Sequence, residues 1–94
     1  MPDTTPRKHL DEFLTTYLPE QLEVRRLAKR YDLIFREGQA EVHVSVRFEH
    51  NTFDVNQAST PKLSSRGVSD AAVLYARARI FITTISKLGF TEYQ

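Results

Sequence analysis

The chain has no cysteine and no tryptophan, and only three glycines and one methionine among its 94 residues. Without cysteine it can form neither disulfides nor a thiolate metal site, a composition suited to a reducing compartment. Gly38, Gly67 and Gly89 stand singly, so there is no glycine-rich phosphate loop. No apolar run approaches the roughly 20 residues that span a bilayer. The opening Met1-Pro2-Asp3-Thr4-Thr5-Pro6 lacks the basic start and apolar stretch of a signal peptide. These absences read as a cytoplasmic chain without a membrane partner. An excess of one charge is missing too. Thirteen Lys+Arg against twelve Asp+Glu leave +1 at pH 7, which argues against a strongly electrostatic nucleic-acid binder.

What is present suits one globular domain over residues 1–94, with 1–5 flexible. Leu10, Phe13, Leu14, Tyr17 and Leu18 follow the i, i+3, i+4, i+7 spacing of an amphipathic helix. Thr5 suits its N-cap, Pro6 its first turn, and Pro19 its end. A second helix is expected over Glu20 to Arg30. Its acids Glu20 and Glu23 come first, Arg26, Lys29 and Arg30 come last, and Val24, Leu27, Ala28 and Tyr31 form its apolar face.

From Ala40 to Glu49 polar and apolar residues alternate without a break, the pattern of a strand with one wet face. Two-residue loops at Glu37-Gly38 and His50-Asn51 would make a three-strand antiparallel meander. Phe35 would then face Ala40, Leu33 face Val42, Phe48 face Phe53 and Val46 face Val55. Asp32 would lie opposite His43 and Arg47 opposite Asp54, with Ile34 the one apolar residue on the wet face. The polar stretch 59–68 reads as an exposed loop. Ser69 then caps a long helix with an Ala71, Leu74, Ala78, Phe81, Ile82, Ile85 stripe, closed by Gly89. Val68 and Val73 have the spacing of a hydrophobic staple. Residues 80–86 are rich in β-branched side chains, which leaves helix and strand both open there. Val73 and Ile80 stand off the stripe. The fold expected is α+β: an N-terminal helix or helix pair, the meander, and the long helix packed on one sheet face.

No arrangement of residues points to catalysis. His43, Ser45 and Asp32 fall near one another, but on one open strand face with no oxyanion donor or nucleophile turn. No metal site and no cofactor are expected. The segments suited to an anion are Lys62, Ser64, Ser65 and Arg66 before the last helix, and Arg25, Arg26, Lys29 and Arg30.

Tyr31-Asp32-Leu33-Ile34, Val42-His43-Val44-Ser45-Val46 and Asp70-Ala71-Ala72 through Ala78 are carried in the order helix, three strands, long alanine-bearing helix. In that order residues 20–89 resemble the double-stranded-RNA-binding domain, a resemblance of topology. It implies contact across an RNA minor groove by shape and 2′-hydroxyls. The residues themselves favour a small non-enzymatic binding module or inhibitor acting through protein–protein interaction, a kind of chain that suits a phage or mobile element. The alternative is an RNA/DNA-binding module using loop 59–68 and the basic end of residues 20–30. A homodimer is also open, because the outer strands of a meander leave edges to be covered.

Overall fold

Strict alternation places Ala40, Val42, Val44 and Val46 on one side of their strand, and each is at most 2% exposed. The rest of the molecule is laid around that strand. The computed structural model describes residues 5–16, 22–38, 40–59 and 65–93. In chain order these form α1 (Thr5–Thr16), β1 (Leu22–Arg26), β2 (Arg30–Glu37), β3 (Ala40–Arg47), β4 (Thr52–Ser59), α2 (Ser65–Lys87) and β5 (Thr91–Glu92). The sheet has five strands in sequence order, β1 to β4 antiparallel and β5 parallel to β4. The class is α+β, as the sequence suggests, but the meander has four strands, with β5 added beyond it.

The extra strand comes from the expected second helix. Residues 20–30 do not form one: Leu22–Arg26 is a strand, paired so that Leu22 faces Phe35 and Val24 faces Leu33. Along this strand Leu22, Val24 and Arg26 turn inward while Glu23 and Arg25 turn outward. A helix over the same residues would take its apolar face from Leu27 and Ala28, yet Leu27 is 45% exposed beside a tight turn. Pairing along five residues of β2 outweighs a marginal helical propensity.

Both hairpins differ from the expected register by two residues. Phe35 faces Val42, Leu33 faces Val44 and Tyr31 faces Val46, and the pairing runs on to Glu37 opposite Ala40. Val46 faces Phe53 and Val44 faces Val55, with 48–51 as the next loop. A two-residue shift preserves every inward side chain, so alternation alone cannot detect it. The turn residues with positive φ are nonetheless the expected ones, Gly38 (φ 59°) and Asn51 (φ 52°). The exposed-face partners change accordingly. Asp32 faces Ser45, His43 faces Ile34, and Arg47 faces Thr52 and reaches Asp54 on the diagonal at 3.5 Å.

Both helices lie on the inward face. Leu10 and Leu14 of α1, and Leu74, Ala78, Phe81, Ile82 and Ile85 of α2, join Leu33, Val44, Phe53 and Phe90 in one core. Each fully buried side chain of this size contributes about 1.5–3 kcal/mol. Aromatic contacts stitch the layers together: Phe81 packs 5.4 Å from Phe13 of α1 and 5.4 Å from Phe35 of β2. At the other end of the sheet Phe48 lies 4.7 Å from Tyr31 and 6.0 Å from Phe90.

Residues 80–86 are helix, because Phe81, Ile82 and Ile85 fall on the side that meets the sheet. The helix begins at Ser65, four residues before the expected cap at Ser69. Val68 and Val73 form no buried staple and are 57% and 47% exposed. Two close approaches fix the helices. The Asp70 carboxylate lies where a Cβ on Gly38 would be, 2.8 Å from it, and Pro6 of α1 fills the same place above Gly89 at 2.9 Å. Of the stretch expected as loop 59–68, residue 59 ends β4 and residues 65–68 belong to α2, because the helix starts earlier than its expected cap; residues 60–64, with Tyr17, Leu18 and Pro19, lie outside the described residues.

Candidate binding surfaces

The outward face of the sheet carries no helix among the described residues, and its side chains pair with each other. Glu23 accepts from Arg25 at 2.7 Å and from Arg36 at 3.1 Å; Arg36 also donates to Glu41 at 2.9 Å, and Glu41 meets His43 Nε2 at 3.1 Å. The guanidinium hydrogen bonds hold the Glu23 and Glu41 carboxyls below the ordinary 4.5, and the two carboxylates raise Arg36. Ile34, expected to be exposed, lies among these groups at 2% exposure. The aliphatic stems of the long side chains on its own and neighbouring strands account for that burial. Ser45 donates to Asp32 at 3.2 Å while His43 turns to Glu41, so serine, histidine and aspartate do not form a relay. Among the described residues no group of three or more His, Asp or Glu could hold a metal ion.

The residues suited to an anion are divided. Arg25, Arg26, Lys29 and Arg30 sit around the β1–β2 turn. Ser65 and Arg66 open α2, which meets the sheet at the opposite end of β2 beside Gly38; Lys62 and Ser64 lie outside the described residues. Eight strand residues separate the two ends, roughly 26 Å. Among the described residues, the start of α2 and the β1–β2 turn therefore lie at opposite ends of β2. The β1–β2 end instead gathers cations from elsewhere in the chain. Arg7 of α1 donates to the Ala28 carbonyl at 3.3 Å, with its guanidinium 4.5 Å from the Phe48 ring and 5.5 Å from the Tyr31 ring. Arg26 lies 5.6 Å from the Tyr31 ring. Arg47 is brought directly opposite Arg30 by the β2–β3 register. Neither Arg7 nor Arg47 could be placed here from a local charge run, because their proximity depends on how the elements pack.

A second surface is the outer side of α2. At 100° per residue Ser69, Ala72, Val73, Ala76, Ile80 and Thr83 share the stripe opposite the buried one. Ile80 is 73% exposed. Arg77 and Arg79 lie to either side and bond back to the sheet, Arg77 to Glu37 at 2.9 Å and Arg79 to Glu92 at 3.0 Å. Val73 and Ile80, off the buried stripe in sequence, are the residues that mark this surface. Among the described residues no helix is long and apolar enough to cross a membrane. No protein-family model, no curated protein and no solved structure matches the chain.

Proposed function

We propose that this chain is a small non-enzymatic binding module that docks a partner protein on the outer side of α2, and that the partner brings acidic side chains to it. The supporting observation is the composition of that side. An exposed helix face ordinarily carries charge, yet from Ser69 to Thr83 this stripe carries none and presents Val73 and Ile80 to solvent. Small residues at 72 and 76 leave room for a partner's larger side chains between these two. Arg77, Arg79 and Lys87 frame the stripe, so the matching surface is an apolar ridge with acidic margins. A second copy fits less well: antiparallel pairing about the middle of the stripe sets Arg77 and Arg79 of one chain near those of the other.

Affinity capture from a nuclease-treated lysate, run in parallel with the wild type, Ile80→Glu, Thr83→Glu and Thr83→Lys, tests this reading. A protein retained by the wild type and by Thr83→Lys, and lost with either glutamate, is the expected result. These positions are exposed, so the unfolding midpoint should stay within about 0.5 kcal/mol of wild type. If all four baits retain the same proteins, or self-association accounts for everything retained, the reading fails.

A further inference from the structure

We infer that the β1–β2 end of the sheet binds single-stranded nucleic acid, with Lys29, Arg30 and Arg47 meeting its phosphates and Tyr93 stacking a base. This rests on observations separate from the α2 surface. Around Gly38 the carboxylates of Glu37 and Glu41 each hold an arginine at 2.9 Å, Arg77 and Arg36, whereas the ion pairs at the far end of β2 are longer. Lys29 meets no carboxylate among the described residues.

Arg30 and Arg47 are cross-strand partners. Phe48 N donates to the Lys29 carbonyl one position along, so the arginines occupy a non-hydrogen-bonded pair, where side chains stand closest. Like charges directly opposite one another are unfavourable. Each arginine is compensated only by a 3.5 Å contact with the aspartate beside it, Asp32 for Arg30 and Asp54 for Arg47. A phosphate shared by the two guanidiniums removes the repulsion and accepts charge-assisted hydrogen bonds. Arg7, pinned to the Ala28 carbonyl and stacked on two rings, holds the turn that presents Lys29.

The same row continues across the sheet from Arg30 and Arg47 to Thr52 and Thr91. Just past it Tyr93 is anchored by its N–H to the Phe53 carbonyl at 2.8 Å and is 67% exposed. Glu92 reaches α2 through Arg79, which sends Tyr93 to the opposite, outward face with the arginines. An exposed ring beside a basic row is the arrangement that takes an unpaired base.

The test is fluorescence anisotropy with a labelled 12-nucleotide oligo-U and oligo-dT, the matching RNA and DNA duplexes, and phosphatidylserine vesicles. With three phosphate contacts, affinity for the single strands should fall about 20-fold between 50 and 200 mM salt. Lys29→Ala and Arg47→Ala should each lower the slope of log affinity against log salt by about 0.7. Tyr93→Ala should weaken binding without changing that slope, because stacking displaces no counterions. Arg77→Ala and Ile80→Glu should leave it unchanged, which separates this site from the α2 surface. Circular dichroism and urea midpoints identify any variant that fails to fold. Absence of single-strand binding at 50 mM salt overturns the inference. So does equal binding of duplex with Tyr93→Ala silent, or vesicle binding with the same variant pattern.

Discussion

On the face of the sheet that carries the helices, Val44 lies between Leu33 and Val55 on the neighbouring strands, and Phe53 at the centre is 0% exposed. On the other face the corresponding central residue is Ile34, also almost fully covered, but by Glu23, Arg36, Glu41 and His43 on its own and adjacent strands. The first face excludes water with a second layer of structure; the second does so with the stems of ionised side chains that bond to each other. The two should therefore respond to different perturbations. The inner face responds to lost volume, whatever the solution conditions. The outer face responds to volume at one position and to pH and salt at the rest.

Truncation at the centre of each face gives the largest effects. Phe53→Ala should cost about 3–5 kcal/mol, since the cavity lies between the sheet and the helices and cannot easily collapse. Urea unfolding should show the midpoint fall at unchanged slope. Ile34→Ala should cost less, about 2–3 kcal/mol, because flexible charged side chains can settle into the space. A cost below about 1 kcal/mol at Ile34 would mean that the outer face excludes little water, and the comparison would collapse.

Gly89→Ala tests how firmly the helical layer is held. The φ of 115° suits glycine alone, and a Cβ there would sit 2.9 Å from Pro6. About 1–3 kcal/mol is expected, with faster amide exchange concentrated in α1. Uniform exchange through both helices would show that α1 does not depend on that approach.

The inner face was largely legible in the sequence, because alternation along Ala40–Arg47 and helical spacing along α2 both mark which side is buried. Val42, Val44, Val46 and Phe48 are core for the reason their spacing gives. The register was not legible. A two-residue slip leaves every side chain on the same face, and only loop lengths decide between registers. Nor was β1: Leu22–Arg26 is too short for one period to exclude the other, and what makes it a strand is the open edge of β2. The outer face depends on both, which is why Ile34 reads as exposed from sequence and Arg36 gives no sign that it bridges Glu23 to Glu41. The basic end was half legible for the same reason. Its hairpin cations are adjacent in the chain, whereas Arg7, Arg47 and Tyr93 arrive by packing and register.

The smallest expected effect is also the one that best separates the faces. Glu23 and Glu41 titrate below the ordinary 4.5 because Arg36 bonds to both. Their contribution to stability is therefore complete above that value and is lost as pH falls through the lowered values. Arg36→Ala removes the shared partner and leaves Glu23 with Arg25 and Glu41 with His43. Carboxyl resonances followed by NMR titration should show both groups moving up toward 4.5, Glu41 more than Glu23, since Arg36 is the first cause for one and the second for the other. The midpoint difference between this variant and the wild type should be modest at pH 7, smaller in 1 M salt, and absent well below 4.5. The Phe53→Ala difference should persist across the same range wherever the protein stays folded. If the two differences vanish together on acidification, the faces are not independent, and the ion pairs serve the core rather than Ile34.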